Sequence, residues 1–143
     1  MFERYTLESR QVVVYALEEV RAFGHARVGS DHLLLALLRD PGVSELLNSL
    51  DVTYEGARAQ VEEMFGLGEG SPAGQIPFTQ DSKDVLTRAI NDAGRLHQLE
   101  VLPEHILLAL NAAVESVGAQ ILQACGGDPE AVRNAAMSRL ADR

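Results

Sequence analysis

The chain has 143 residues, of which 46% are hydrophobic and only 5% aromatic, and its formal net charge at pH 7 is −9. This length is enough for one compact domain with an aliphatic core, and the negative charge argues against nucleic acids and anionic membranes as partners, since both would repel the surface. A cationic partner is compatible with it. The longest wholly apolar run, residues 33–38, is far too short to cross a bilayer.

Cysteine usage and the first residues indicate a compartment. Cys125 is the single cysteine, so no disulfide can form within the chain. A lone cysteine is typical of a protein from a reducing environment. The start of the chain, Met1-Phe2-Glu3-Arg4, contains no apolar segment of the kind found in a signal peptide. The sequence therefore predicts a cytoplasmic protein.

The dominant feature of the chain is an internal duplication. Residues 6–38 align without a gap on residues 79–111 at a constant offset of 73, and ten of the 33 pairs are identical, among them Thr6/Thr79, Val28/Val101, His32/His105 and Leu34/Leu107. Conservative pairs, such as Asp31/Glu104, make up much of the rest. A duplicated unit predicts two halves related by a pseudo-two-fold axis, with two related surface sites.

The first repeat, residues 1–65, shows helical periodicity nearly throughout. Turn and cap residues separate its segments. We expect a helix from Thr6 as N-cap to Gly24, a helix from Ser30 as N-cap to Leu38, a turn at Asp40-Pro41-Gly42, a helix over 43–50, and a helix over 54–65 after Thr53 as N-cap.

Residues 66–77 are rich in glycine and proline and are predicted to be a flexible linker. The pattern then repeats over residues 78–143. Here we expect helices from Thr79 as N-cap to Leu96, from Pro103 to Asn111, over 114–124, and from Asp128 as N-cap to Leu140. Because no segment alternates as a strand would, the predicted fold is all-α: one domain, 1–143, of two four-helix repeats.

The paired helix starts are the best candidate sites. Thr6 and Thr79 each open a long helix, and a cation, Arg10 or Lys83, follows four residues later. Free N–H groups, a hydroxyl and a cation together can bind an anion. The second helix of each repeat begins with an acid, Asp31 or Glu104, which either stabilises the helix dipole or binds a cation. If the two kinds of start lie side by side, they form a pocket with a positive and a negative end.

The sequence offers no catalytic or metal-binding pattern. The pairs Asp31-His32 and Glu104-His105 are adjacent, so on a helix their side chains are expected to point roughly 100° apart and to form no dyad. No His-x-x-x-His or Cys-x-x-Cys spacing occurs, and the glycines at 66, 68 and 70 lack the Gly-Lys-Ser/Thr ending of a phosphate loop. We therefore predict no enzymatic activity, no metal and no cofactor.

The repeated segments resemble the N-terminal domain of Clp-type AAA+ unfoldases, most of all the ClpC branch. The segments that carry this resemblance are Phe2-Glu3-Arg4-Tyr5-Thr6, Gly29-Ser30-Asp31-His32-Leu33-Leu34-Leu35-Ala36-Leu37, Ile76-Pro77-Phe78-Thr79 and Pro103-Glu104-His105-Ile106-Leu107-Leu108-Ala109-Leu110. In that family the domain is a double four-helix repeat ahead of the ATPase rings. It captures substrates or adaptor proteins, and some bacterial members recognise phosphoarginine.

The resemblance also implies roles for particular residues. Thr6 and Thr79 match threonines that contact the phosphate, and Asp31 and Glu104 match acids that hold the guanidinium. Ser30, Arg10 and Lys83 lie beside these positions along the chain. The rim of the groove between the repeats, where the family binds adaptors and cyclic peptide antibiotics, is matched by Phe2, Phe78, Lys83 and Leu86.

The match is not complete at the two acid sites. Asp31 is one methylene shorter than the glutamate of the family, and Pro103 replaces a threonine. We therefore expect the groove to be better preserved than the phosphoarginine sites. Glu104 is expected to be a surface acid, so that its replacement by alanine weakens ligand binding without disturbing the fold.

The resulting hypothesis is a bacterial, non-enzymatic binding module of the Clp proteolytic system, with substrates, adaptors or cyclic peptides as partners. The 143-residue length favours a free-standing copy, a decoy or regulator that could self-associate, over an excised domain. The alternative is a helical structural module that has kept the fold and lost the ligand pocket.

Overall fold

The computed structural model describes all 143 residues, which form eight α-helices and no sheet. This confirms the predicted all-α fold. The helices are α1 (Leu7–Phe23), α2 (Ser30–Leu37), α3 (Pro41–Asn48), α4 (Tyr54–Phe65), α5 (Gln80–Arg95), α6 (Pro103–Ala112), α7 (Val117–Ala124) and α8 (Pro129–Ala141).

Four of the five predicted side-chain N-caps are confirmed. The hydroxyls of Thr6, Thr53 and Thr79 and the carboxylate of Asp128 each accept a hydrogen bond from the backbone N–H three residues later. This bond satisfies one of the N–H groups that the first turn of a helix leaves free.

Three predicted boundaries are wrong. Gly29, not Ser30, is the N-cap of α2, because the ring of His32 reaches back to the Gly29 N–H and leaves the Ser30 hydroxyl free for another partner. The predicted turn at Asp40-Pro41-Gly42 is the start of α3, with Asp40 as N-cap and Pro41 as the first helical residue. Helix α7 begins at Val117 rather than at 114, after Ser116 as N-cap.

The two repeats are joined by a pair of equivalent backbone bridges. Tyr5 pairs in parallel with Val101, and Phe78 pairs in parallel with Val28. The N–H of Thr6 donates to the Val101 carbonyl at 3.1 Å, and the N–H of Thr79 donates to the Val28 carbonyl at 2.9 Å. Each repeat thus uses its entry segment to bind the other repeat, in front of that repeat's second helix.

Helices α2 and α6 form the centre of the core. Every residue of α2 is buried, as is every residue of α6 except its last, Ala112. Such all-round burial explains why these helices are the most apolar segments of the chain. By length and composition no single helix could cross a membrane; α6 and α7 would suffice only as a pair, and they are bent by 90° at the break between them.

The predicted flexible linker is packed against the end of α1 over part of its length. The N–H groups of Gly68 and Gly70 donate to the carbonyls of Phe23 and Gly24, at 2.8 and 3.0 Å, and the Ser71 hydroxyl donates to the carbonyl of His25 at 2.6 Å. A side chain at position 68 would collide with the Gly24 carbonyl, so this close approach requires glycine. At this position glycine permits close contact between two backbone segments, which is a different role from the chain flexibility that the sequence suggested.

Replacing Leu34 or Leu107 by alanine tests the central helices. Both side chains are fully buried, so we expect each change to lower the free energy of unfolding by about 2–5 kcal/mol through lost contacts and an internal cavity. Leu99→Ala is the matched control, because that leucine is 81% exposed and should change stability by less than about 0.5 kcal/mol. Urea unfolding followed by circular dichroism measures all three, and equal stabilities would contradict this core.

Candidate ligand-binding site

The sequence left open which helix starts lie together, and the bridges between the repeats decide it. Because Thr79 is bound to Val28, the start of α5 lies beside the start of α2. Because Thr6 is bound to Val101, the start of α1 lies beside the start of α6. The pairs are therefore formed across the repeats, with Thr79 near Asp31 on one side and Thr6 near the segment that leads to Glu104 on the other.

The first pair opens on a cavity of about 560 Å³. We call it the Asp31 cavity. Asp31, Thr79 and Asp81 line it, together with Val117 at the start of α7 and glycines of the linker. Three helix starts, those of α2, α5 and α7, thus meet at one place.

Asp81 is the residue that joins these three helices. Its carboxylate accepts hydrogen bonds from the Thr79 hydroxyl at 2.5 Å, from the Ser30 hydroxyl at 2.7 Å and from the Val117 N–H at 3.1 Å. Burial acts to raise the pKa of Asp81, but the bonds from Thr79, Ser30 and Val117 outweigh it and the pKa is lowered. Sequence reasoning missed Asp81, although an acid in the first turn of a helix was a visible signal.

Asp31 lies deeper and is less well satisfied. Its side chain is 8% exposed, and burial raises the pKa of its carboxyl, with a further contribution from the charge of Asp81. One carboxylate oxygen lies 3.3 Å from Nδ1 of His32. The prediction that these neighbours point apart is wrong, because in the first turn both side chains turn back toward the N-cap at Gly29.

The histidines form a chain of hydrogen bonds behind the cavity. Nδ1 of His32 accepts from the Gly29 N–H at 2.9 Å, so the proton of the neutral ring is on Nε2, which donates to Nδ1 of His25 at 2.9 Å. Nε2 of His25 then donates to the Gly66 carbonyl at 2.8 Å. Burial, together with the proximity of His25, lowers the pKa of His32 to about 4.

The second repeat contains the same arrangement with one substitution. Nδ1 of His105 accepts from the Leu102 N–H at 2.9 Å, and its Nε2 donates to the amide oxygen of Gln98, which stands at the position equivalent to His25. Burial lowers the pKa of His105 as well. The repeated histidine is thus a neutral helix-capping residue in both halves.

Residue spacing missed one spatial cluster. Single ligand atoms from His25, Asp31 and His32 lie within 4.8 Å of one another, which is close enough for a metal ion. All four ring nitrogens of the two histidines already take part in hydrogen bonds with each other or with the backbone. A metal would have to displace these bonds, so the cluster fits a hydrogen-bond chain better than a metal site.

The second pair of helix starts contains Glu104, which is not the surface acid that the sequence suggested. Glu104 is 1% exposed, because it lies under the start of α3. Oε2 accepts a hydrogen bond from the Arg143 guanidinium at 3.2 Å, whereas Oε1 is buried and has no hydrogen-bond donor. The carboxylate is therefore half satisfied, by a guanidinium whose side chain is 45% exposed.

The predicted anion-binding groups of the first repeat, Thr6 and Arg10, are partly engaged by neighbouring groups. The Thr6 hydroxyl accepts from the Ser9 N–H and donates to the Ser9 hydroxyl, both at 3.1 Å. The Arg10 guanidinium donates to the Phe2 carbonyl at 3.2 Å and so points toward the N-terminal segment. Lys83, its counterpart in the second repeat, is exposed and forms no ion pair.

One of the predicted groove residues is not at the surface. Leu86 is 1% exposed and belongs to the core, so its assignment to the rim is wrong; its carbonyl accepts the Tyr5 hydroxyl at 2.8 Å. Phe2 packs edge-on against Tyr5, with ring centroids 5.0 Å apart. Phe78 instead lines a second cavity of about 590 Å³, formed with Leu17 and the end of the linker.

Comparison with known proteins assigns the fold and the duplication to a family. The family model described as "Clp repeat (R) N-terminal domain" matches residues 4–112 and again 77–142. The chain belongs to this Clp N-terminal domain family.

Chloroplast chaperones are among its relatives in sequence. The chloroplastic chaperone ClpC1 of Oryza sativa subsp. japonica is 37% identical over 135 residues, which cover 93% of this chain and 15% of that protein. ClpC1 of Arabidopsis thaliana is also 37% identical, over 93% of this chain and 14% of its own length. The chain thus spans about one seventh of the curated relatives that it matches. These plant proteins give no support to the expectation of a bacterial, cytoplasmic protein, which stays a prediction.

Solved structures agree on the architecture. The N-terminal domain of the chaperone ClpD from Arabidopsis thaliana superposes with a TM-score of 0.83 at 25% identity, over 99% of this chain and 97% of that one. The Hsp104 N-terminal domain from Candida albicans gives a TM-score of 0.81 at 18% identity, over 99% and 94% of the two chains, and supports the fold alone.

The lowered pKa of His32 leads us to predict that the folded protein loses stability in mild acid. The pKa of His32 is about 4 in the folded chain and ordinarily 6.5, so the unfolded chain binds more protons between these values. The neutral His32 ring makes its full contribution to the free energy of unfolding above pH 6.5, and this contribution is lost as the pH falls toward 4. We expect a decrease of about 2 kcal/mol between pH 7 and pH 5, measured by urea unfolding. The raised pKa of Asp31 acts in the opposite direction.

His32→Gln is the matched variant for this prediction. A glutamine at the third helical position can still accept from the N-cap N–H but does not titrate. We expect this variant to lose clearly less stability than the parent between pH 7 and pH 5. The same loss in both proteins would show that His32 is not the titrating group.

Proposed function

We propose that this domain captures polypeptides, either substrates or adaptor proteins, for a Clp-type unfoldase, and that it catalyses no reaction itself. Membership of the Clp N-terminal domain family supports the general role. The observation that carries the proposal is the state of Glu104: a buried carboxylate with one oxygen bound to a guanidinium and the other without a donor. A buried acceptor without a donor is costly, so a ligand that satisfies it gains affinity.

The finer proposal is that the Thr6–Glu104 side recognises phosphoarginine. The hydrogen bond from Arg143 supports this proposal. The side chain of Arg143 is partly exposed, so the guanidinium of a ligand could approach Glu104 in the same way. The start of α1 supplies free N–H groups beside the Thr6 hydroxyl for a phosphate. Glu8, the acid in the first turn of α1, is exposed and makes no hydrogen bond from its side chain, so it leaves that start open.

A further part of the proposal concerns adaptor proteins. The cavity at Phe78 combines apolar walls from Leu17 and Ile76 with the cation of Arg21. Such a pocket suits an apolar side chain of an adaptor or a cyclic peptide, with an acidic group beside it. A free-standing copy of this domain would compete with an unfoldase for such partners and act as a decoy or regulator. The same domain within a longer protein would deliver them.

The alternative is a structural module without a ligand. Internal occupation of both acid sites favours it: Arg143 is bound to Glu104, and Asp81 takes up the donors near Asp31. Titration separates the two proposals, because a structural module binds neither a phosphoarginine peptide nor an adaptor.

Glu104→Gln tests the phosphoarginine proposal. We expect a peptide with one central phosphoarginine to bind the parent with saturation, and the variant to bind at least about tenfold more weakly, because the charge on the guanidinium loses its partner. Isothermal titration calorimetry measures both affinities. Glutamine keeps the size of the buried side chain, and circular dichroism checks the fold. Glu115→Gln, at an exposed acid, is the control for charge. Equal binding by Glu104→Gln would remove Glu104 from the site.

Arg143→Ala tests the competing internal contact. Removing this guanidinium leaves Glu104 free, so we expect tighter binding of the same peptide, by about three- to tenfold, since a partly exposed ion pair contributes of the order of 1 kcal/mol. Arg133→Ala, at an exposed arginine of α8, is the control for net charge. Weaker binding after loss of Arg143 would mean that this residue contacts the ligand instead of competing with it.

A further inference from the structure

The two helix starts that were expected to bind phosphate, those of α1 and α5, differ in whether their hydrogen-bond donors are already used. At the start of α5, the Thr79 hydroxyl, the Ser30 hydroxyl and the Val117 N–H all donate to one carboxylate, that of Asp81. At the start of α1, the equivalent acid is Glu8, which is exposed and makes no such bonds. The anion position beside Asp31 is therefore already taken by the chain itself, whereas the one at Thr6 is not.

The Asp31 cavity is also electrically unsuited to a phosphate. Asp31, Asp81 and Glu69 line it against a single cation, Arg27. A phosphate placed there would be repelled by carboxylates in a partly desolvated cavity, where charges interact more strongly than in water. A cation would be attracted by the same groups.

The buried carboxylate of Asp31 has no hydrogen-bond donor from another side chain. More than nine-tenths of its side chain is buried, yet no side chain donates a hydrogen bond to it. The nearest ring nitrogen, Nδ1 of His32, is an acceptor for the Gly29 N–H and so has no proton to offer. Only backbone N–H groups of its own turn approach it. A buried carboxylate of this kind at the wall of a cavity is a site for an external donor that carries positive charge.

We propose that the Asp31 cavity binds the side chain of an unphosphorylated arginine, with Asp31 as the acceptor for the guanidinium and Asp81 in the place of a phosphate. The inference rests on the proposed capture of polypeptides and names the ligand of one of its two sites. The domain then binds two forms of arginine: phosphoarginine at Glu104 and unphosphorylated arginine at Asp31.

The guanidinium suits this cavity better than the ammonium of lysine does. It is planar and has five N–H donors, so it can bind Asp31 and reach a second acceptor at the same time. The side chains of Phe65 and Val117 provide an apolar wall for the methylene stem, and the backbone of Gly68 and Gly70 leaves room for it.

The test measures two peptides of one sequence, with arginine or phosphoarginine at the centre, against the parent, Asp31→Asn and Glu104→Gln, by isothermal titration calorimetry. We expect Asp31→Asn to weaken the arginine peptide at least about tenfold and to leave the phosphoarginine peptide unchanged. Glu104→Gln should do the opposite. A third peptide with lysine should bind the parent several-fold more weakly than the arginine peptide.

Asp84→Asn is the matched control, because it removes the same charge from an exposed position on α5 outside the Asp31 cavity. It should leave the arginine peptide within about twofold of the parent, since Asp84 does not line the Asp31 cavity and its exposed charge is screened by solvent and salt. If Asp84→Asn weakens the peptide as much as Asp31→Asn does, net charge explains the binding and the inference fails.

The possible failures can be told apart. If the phosphoarginine peptide binds and the arginine peptide does not, or if its binding ignores Asp31→Asn, the inference is wrong and the proposed function stands. If the phosphoarginine peptide does not bind at all, the phosphoarginine proposal is wrong, and the arginine peptide still decides the inference. Equal binding of the lysine peptide overturns the assignment to guanidinium.

Asp81→Ala tests the second half of the inference without a peptide. The donors from Thr79, Ser30 and Val117 then lose their acceptor, so the variant should melt at a lower temperature than the parent. Inorganic phosphate should raise its melting temperature more than that of the parent, because an anion that binds only the folded chain stabilises it. Asp84→Ala is the control. An equal response of Asp81→Ala and the parent to phosphate would show that Asp81 does not occupy an anion position.

Discussion

The hydrogen bonds that the carbonyls of Val28 and Val101 accept hold the two repeats in register. Each carbonyl takes an N–H from the other repeat, that of Thr79 or of Thr6, and each also takes a serine hydroxyl, from Ser82 at 2.8 Å or from Ser9 at 2.7 Å. The identity of the serine pair across the duplication now has a physical reason. Everything about the candidate sites depends on these bonds, because they place the start of one repeat's long helix beside the other repeat's acid.

On this symmetric frame the two sites have diverged by a few side chains. Ser30 in the first repeat provides a hydroxyl for Asp81 and accepts the Gly118 N–H at 2.8 Å, whereas Pro103 at the equivalent position can do neither. The longer acid, Glu104, reaches under α3 and meets Arg143. A common backbone thus presents one cavity dominated by carboxylates and one buried carboxylate that is paired with a cation. We expect two such sites to select different ligands, because charge and available donors, more than shape, separate them.

The repeated pair His32 and His105 caps the two central helices but does not compensate the burial of the acids beside them. Each ring caps its own helix by accepting a hydrogen bond from a backbone N–H, and each donates a hydrogen bond from its Nε2 to a neighbour, His25 or Gln98. The rings are therefore neutral and do not neutralise the adjacent carboxylates. Asp31 and Glu104 therefore have fewer hydrogen-bond donors than a buried carboxylate needs. The packing of the surrounding core compensates this loss of stability, and a bound ligand could offset it.

The sequence determined the fold to a large extent. The offset of 73 predicted the two-fold relation, the 3.6-residue periodicity predicted eight helices, and four side-chain N-caps were read correctly, because these signals are local and each residue expresses them within its own turn. The error at Ser30 arose where a side chain chooses between a local and a distant partner, whereas Asp40 and Ser116 are local N-caps that each accept from the N–H three residues later. Whether the hydroxyl of Ser30 caps its own helix or binds Asp81, 51 residues away, depends on a neighbour that sequence spacing does not reveal.

The sequence identified some residues of the candidate site, such as Thr79 and Asp31, but not their burial or their hydrogen-bond partners. Thr79 and Asp31 do meet, yet the burial of Glu104, the capture of the α5 start by Asp81 and the burial of Leu86 appear only in three dimensions. Such features are set by which helices pack together, since burial and hydrogen-bond partners belong to pairs of segments far apart in the chain. The sequence by itself determined the helices, the duplication and the kinds of group at the helix starts. The tertiary structure decided which of these groups meet and which of them still lack a partner.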